Sequence, residues 1–312
     1  MLETIFSYTF MVGLFAAAVR IAAPLLLTAL GEIVSEKAGV LNIGLEGFML
    51  VGSLAGFLGT YYSHNSWIGM LTGLLVGVIF SLLHAYLSIT LCTDQVVNGI
   101  AVNILGLGLT SLIFRGLFGI STLPPRIQPL GIIKVPYLAD IPVLGPILFQ
   151  QSPIVYLAVF FALLCWIIVF KTDFGLALRA TGEIPEVADT AGINVARIRY
   201  IAVMVAGGLA GLGGAFLSVA QLGNFTDSMT AGRGFIALAV VIFGRWSPFG
   251  ALIVSMFFGL AYALQLALQA LGFNVPYQFL LMLPYVLTMV ALAGSAGRRG
   301  APAALATPYK KA

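Results

Sequence analysis

Charged side chains make up only 8% of the 312 residues, against roughly 25% in soluble domains. A surface that faces water on every side cannot be assembled from 15 basic and 11 acidic residues in a chain of this length. Cysteine is nearly absent as well. Cys92 and Cys165 sit far apart in apolar runs, so neither a disulfide framework nor a thiolate metal pair is expected. The histidines, His64 and His84, belong to no His-Glu-x-x-His pattern, which leaves a metal or protease site without support. No Gly-x-x-x-x-Gly-Lys-Ser/Thr stretch occurs, and not even a Gly-Lys pair, so no P-loop is available to cradle nucleotide phosphates. Arg20 is the first basic residue, and the positive head of a cleavable secretory leader is therefore not expected. Catalytic residues, metal and cofactor are all expected to be none.

What the chain does have is hydrocarbon. Hydrophobic residues reach 60% and the mean hydropathy is +1.06. Continuous Leu/Ile/Val/Phe/Ala/Gly runs approach the roughly 20 residues that a helix needs to cross a bilayer. They lack the apolar-polar alternation of a transmembrane barrel. The fold class is an all-α polytopic membrane protein, one domain over 1–312. Spans are expected near 5–30, 45–61, 67–91, 96–118, 152–171, 200–222, 233–244, 248–271 and 275–294. That makes about nine, with eight to ten allowed by the short seventh run and by a surface-lying 5–17. The segment 119–151 holds Pro124, Pro125, Pro129, Pro136, Pro142 and Pro146, which forbid a straight helix; with few charges, it is placed outside. Lys171, Arg179, Arg197 and Arg199 mark the loop 172–199 as cytoplasmic by the positive-inside rule. Arg298, Arg299, Lys310 and Lys311 do the same for the tail 295–312, without need of a nucleic-acid role. Parity then puts the N-terminus outside.

Two stretches resemble each other: "GLEGFMLVGSLAGFLG" and "AGRGFIALAVVIFG", each followed by Ser-Trp or Trp-Ser. With this topology they run in opposite directions, the pattern of an inverted repeat; chance likeness between Gly-rich helices is the competing reading. The segment "GEIVSEKAGVLNIGLEGFMLVG" gathers Glu32, Glu36, Lys37, Asn42 and Glu46 beside apolar runs. Pro24 can kink the helix before it, and Gly31, Gly39, Gly44 and Gly47 weaken its continuity. Broken backbone at membrane depth is tolerated where it is buried in protein or lines a wet cavity. A discontinuous helix at a translocation pathway, with Asn42 and Glu46 near the solute, stands beside the plainer reading of a charged cytoplasmic turn. Asn98 and Asn103 are further pathway candidates, interhelical hydrogen bonding being the commoner use. Arg20 is read as structural, Asp227, Arg233 and Arg245 as anchors before gates. The small faces Ala206, Ala210, Gly214 and Gly207, Gly211, Ala215 are read as close helix packing.

The loop "KTDFGLALRATGEIPEVADTAGINVARIRY" carries stop and start signals in close order. Phe174–Thr181 suits a short helix ended by Gly182, and Pro185 suits the first turn of a second, with Glu183 and Glu186 near its positive end. Gly192 supplies a stop and Asn194 a cap for the next span. The result is a firm cytoplasmic knob, or, on the alternative, an ordinary solvated connection. "ATGEIPEVADTAGI" resembles the coupling loop of ABC-importer permeases, with Glu186, Ala188 and Gly192 in a Glu-x-Ala-x-x-x-Gly pattern and Val187 where a second Ala is usual. The segment from Gly31 to Gly52 resembles the signature of nucleoside and simple-sugar permeases. Together with "IPVLGPILF" and "GRGFIALAVVIFG" the likeness runs from Pro24 to about Gly294, within the superfamily of ribose and branched-chain amino-acid permeases.

The resemblance implies a second permease chain, an ATP-binding subunit docked on the knob, and an extracytoplasmic substrate-binding protein or lipoprotein that delivers a small-molecule solute. It implies a cell (inner) membrane location and no enzymatic activity of the chain's own. It implies coupling residues at Arg179, Gly182, Glu183, Pro185, Glu186, Ala188 and Gly192. Nucleosides are preferred as solute, ahead of simple sugars and branched-chain amino acids. A self-sufficient secondary transporter is the second class of reading, and an intramembrane enzyme the third.

Overall fold

The computed structural model describes residues 7–119, 125–271 and 300–310, with positions 278, 279, 282 and 286. Apart from one short β-pair it is built from helices. In chain order these are α1 (Tyr8–Lys37), α2 (Leu45–Ser63), α3 (Ser66–Ala85), α4 (Gln95–Phe118), α5 (Pro153–Lys171), α6 (Asp173–Glu183), α7 (Pro185–Thr190), α8 (Val195–Ala215), α9 (Arg233–Phe243) and α10 (Pro248–Ala270). π-helical turns continue α3 over Tyr86–Thr90 and α8 over Phe216–Leu222.

Among the described residues, six helical stretches are long and apolar enough to cross a membrane: Tyr8–Lys37, Ser66–Thr90, Gln95–Phe118, Pro153–Lys171, Val195–Leu222 and Pro248–Ala270. Two of the expected spans form helices of another kind. Helix α2 has 19 residues but carries Glu46, glycines and two tyrosines, and α9 has 11. The expected span at 275–294 lies almost wholly outside the described residues.

Helix α1 sets the frame. Its 30 residues extend about 45 Å, and its two ends define two faces. At one end Tyr8 Oη accepts a hydrogen bond from Val143 N in the Pro-rich segment. At the other, Lys37 Nζ donates to Gly300 O in the tail, beside the α6–α7 knob. The Pro-rich face also receives Leu130 N on Val219 O and Ile127 N on Gly223 O. There the segment is pinned by the antiparallel β-pair Ile133–Lys134 with Gln150–Gln151.

The helix runs unbroken through Pro24 and Gly31, and the chain opens only at Ala38–Gly44. The expected weakening near Gly31 does not occur. There the glycine admits a neighbour, since a Cβ would come within 2.8 Å of Ala206 Cα on α8. Helix α8 is the central post, packed against α1, α2 and α3. Its small faces do the work expected of them: Gly207 meets Ser81 and Gly77, and Gly211 meets Gly77 and Gly73. Backbone-to-backbone approach of this kind is how helices associate where burial from water offers no drive.

Helices α2 and α9, the two copies of the candidate repeat, lead to opposite faces. From α2 the chain passes through His64 to Ser66, whose Oγ donates to Gln128 O of the Pro-rich segment. From α9 it reaches Trp246, whose Nε1 donates to Glu36 near the knob.

A prediction follows from the glycine seam. Gly211→Ala places a methyl 2.9 Å from Gly77 Cα and will cost about 1–3 kcal/mol. Gly108→Ala, with nothing within 4 Å, will be neutral or stabilise by up to about 1 kcal/mol. Thermal unfolding of both variants in detergent checks the contrast.

Candidate functional site

The site is built from the top of α2 outward. Gly44 has no side chain to cap α2, so the turn before it is held from elsewhere. Asn42 Oδ1 accepts from Gly44 N at 3.0 Å, while Asn42 N donates to Glu32 Oε1 at 2.9 Å. Asn103, on α4, clamps both strands of the turn: its Nδ2 donates to Ile43 O (2.8 Å) and its Oδ1 accepts from Gly47 N (2.7 Å). Gln95 Oε1 accepts from Leu41 N. Asn98 stands apart from this group and ties Ser88 and Thr93 at the end of the π turn that continues α3. Thus Asn42, Glu46 and Asn103 share one junction, and Asn98 braces a neighbouring one.

Glu46 faces the start of α9. Its Oε1 accepts from Gly232 N (2.8 Å) and Thr230 Oγ1 (2.5 Å), and its Oε2 accepts from Gly234 N (2.7 Å). A carboxylate at a helix N-terminus satisfies orphan amides and the positive end of the dipole together. The close approach requires Gly234, where a Cβ would lie 2.9 Å from Glu46 Oε2. The loop that delivers α9 is strained: Ser228 (φ 57) and Ala231 (φ 46) occupy left-handed backbone, which costs about 1–3 kcal/mol each and clusters at functional sites.

Beside this loop, toward the Pro-rich face, lies a cavity of about 560 Å³. Arg20 of α1, Ser152, Gln221 of the π turn, Arg233 at the head of α9, and Tyr262 and Gln265 of α10 are its polar lining. Arg233 Nη1 donates to Met229 O and Thr230 O, and its guanidinium lies 5.6 Å from the Tyr262 ring centroid. Arg20 Nε donates to Ala16 O, and Gln221 Nε2 to Arg20 O. No carboxylate lines this space among the described residues; Asp227 is engaged by Arg115 at 2.7 Å. Sequence reasoning treated Arg20 as structural and Arg233 as an anchor, and gave Gln221, Tyr262 and Gln265 no role. Lying between positions 20 and 265, they form no local motif, and no spacing in the sequence brings them together.

At the opposite face, α6 and α7 form the knob. Thr172 Oγ1 accepts from Gly175 N to cap α6, Pro185 opens α7, Gly192 turns at φ 85, and Asn194 Oδ1 caps α8. Helix α6 runs to Glu183, one residue beyond the expected glycine stop. Gly182, Pro185 and Ala188 are buried, whereas Glu183, Ile184, Glu186, Val187 and Gly192 are exposed. Arg179 turns back to the Phe170 ring.

The tail straps this knob to the bundle. Glu183 Oε2 accepts from Ala303 N, Gly182 O from Ala304 N, and Gly39 O from Ala306 N. Arg199, expected only as a marker of sidedness, is 2% exposed; its Nε donates to Ala38 O and its Nη1 to Thr307 O. Lys37 Nζ binds the Gly300 carbonyl of the same tail.

The profile of the family described as "Branched-chain amino acid transport system / permease component" matches residues 14–292. The guanosine ABC transporter permease protein NupQ of Bacillus subtilis is 44% identical over 93% of this chain and 94% of its own length. The nucleoside ABC transporter permease protein NupC of Lactococcus lactis is 39% identical over the same shares. Among solved structures, a chain from an ABC transporter in an inward-facing conformation superposes with a TM-score of 0.50 at 16% identity, over 90% of this chain and 85% of that one.

Glu46→Gln keeps one acceptor and replaces the other with a donor aimed at an amide. It will destabilise the protein by about 1–3 kcal/mol and expose the loop 223–232 to protease. Limited proteolysis followed by mass spectrometry checks the cleavage position.

Proposed function

The chain belongs to the permease family of the branched-chain amino acid transport system, and from that premise we propose that it forms part of the translocation pathway of an ATP-driven importer of nucleosides. The observation that carries this reading is the knob. Its outer surface pairs apolar Ile184 and Val187 with acidic Glu186, while Gly182 and Glu183 strap it through the tail to the break after α1. A partner that grips the outside therefore moves the Ala38–Gly44 turn inside. The partner is an ATP-binding subunit, since the chain has no P-loop of its own.

In this reading the knob and the tail face the cytoplasm, and the Pro-rich segment and the N-terminus face outward. The chain crosses about nine times, with α2 and α9 as shorter elements that meet at Glu46 and lead to opposite faces. That arrangement supports an inverted relation between the two halves. Asn42, Glu46, Asn98 and Asn103 serve the pathway by holding its broken helices, and Arg179, Gly182, Glu183, Pro185, Glu186, Ala188 and Gly192 serve the coupling. A second permease chain completes the pathway, and an extracytoplasmic binding protein loads it. The nucleoside assignment draws on the printed activities of the two bacterial relatives.

Cells that carry the complete transporter will accumulate labelled guanosine, and deletion of this chain alone will abolish uptake. Glucose that competes as well as a nucleoside would overturn the solute, and uptake that survives without any ATP-binding subunit would overturn the engine. Glu186→Lys will raise the ATP-binding subunit needed for half-maximal assembly by roughly tenfold, equivalent to about 1.4 kcal/mol of docking. Gly192→Val forces a branched side chain into left-handed backbone, at about 1–2 kcal/mol, and will lower uptake while the bundle stays folded. Pull-down titration and uptake at matched expression measure both.

A further inference from the structure

The lining of the cavity beside α9 includes polar atoms that the fold leaves unpaired. Gln265 is 3% exposed and Ser152 is 6% exposed. Gln265 Oε1, Ser152 Oγ and Arg233 Nε have no hydrogen-bond partner among the described residues. Native interiors pair nearly all such atoms, because an unpaired buried donor or acceptor carries its full desolvation cost. Three of them in one space mark a place where a visitor does the pairing. The volume, about 560 Å³, lies inside the range of about 300–1,000 Å³ typical of small-molecule sites.

The chemistry of the lining narrows the visitor. Two guanidiniums, Arg20 and Arg233, face the cavity with no lining carboxylate among the described residues, so a cationic solute is disfavoured and an acceptor-rich one is favoured. Arg233 lies near the face of Tyr262, whose ring offers a planar surface on which a flat base can stack. Gln265 supplies the complementary element, an unpaired acceptor. A ring that meets all of these presents adjacent acceptors on one edge and an N–H beside them.

We propose that this cavity is a solute-binding station selective for 6-oxopurine nucleosides, with Arg233 reading the O6/N7 edge and Gln265 Oε1 accepting from the ring N1–H. Arginine is the commonest partner of that edge, which offers two acceptors at once. Adenine keeps N7 but puts an amino donor where O6 would be and an acceptor where N1–H would be, so it sets a donor against the guanidinium and an acceptor against Gln265 Oε1. The inference rests on the nucleoside-importer reading above and adds to it the base and the residues that choose it.

The test uses the purified complex of this chain with its permease and ATP-binding partners, without the binding protein, so that selectivity cannot come from delivery. Labelled guanosine is the probe, with inosine, adenosine and cytidine as competitors. Inosine will compete within about threefold of guanosine, and adenosine about tenfold or more weakly. Gln265→Leu and Arg233→Lys will each weaken guanosine binding by about tenfold and shrink the guanosine-to-adenosine ratio. Co-purification of the partner subunits establishes that each variant is assembled, and Gln265→Met stands in if the leucine variant is not. Equal competition by adenosine in the wild type, or an unchanged ratio in two assembled variants, would overturn the station while leaving the transporter reading intact. If the complete transporter takes up no nucleoside, the solute reading itself falls. Guanosine uptake with altered base preference in the variants upholds both.

Discussion

In hydrocarbon an interrupted helix has no water to satisfy its loose ends, and every such end must find a partner inside the protein. The start of α9 is such an end, and the Glu46 carboxylate is what receives it. Three donors converge on its two oxygens, from Thr230, Gly232 and Gly234. The same side chain stands in the first turn of α2, so one negative charge serves the positive ends of two helices. The rest of the site is arranged around keeping that carboxylate in place. Asn103 holds the turn before α2, Asn42 closes it, and Glu32 holds Asn42.

This junction is joined to the knob by polar contacts and a short run of chain. From α6 the path passes through Gly182 and Glu183 to the tail, from the tail to Gly39, and through Arg199 to Ala38. Four residues further along the chain stands Asn42. A second connection reaches the far end of α9, where Trp246 Nε1 donates to Glu36. Helix α9 is therefore held by a carboxylate at each end, one from α2 and one from α1, in a family whose members move solute through the membrane.

The helical class, the knob and its punctuation were legible in the chain because they depend on local chemistry. Pro185, Gly192 and Asn194 each act within a few residues of themselves. So did the small faces of α8, because residue size at fixed helical spacing suffices to read them. The break was legible at Gly39 and Gly44, which lie within it, but not at Gly31. Gly31 looked like a weak point in α1, whereas it is a contact point with Ala206, and no local rule separates those two uses of glycine. The tail's strapping contacts were not legible, because "APAALAT" binds through backbone amides and carbonyls that every sequence possesses. The cavity was the least legible part, since Arg20, Gln221, Arg233 and Gln265 come together only once four helices have packed.

The seam along α8 has a mechanical consequence. At Gly52 and Gly211, at Gly77 and Gly207, and at Gly31 and Ala206, main chain rests on main chain with no side chain between to reorient. Packing of that kind is incompressible and offers no rotamers through which one helix could slide past the next. A piece built this way tilts as a unit and does not bend.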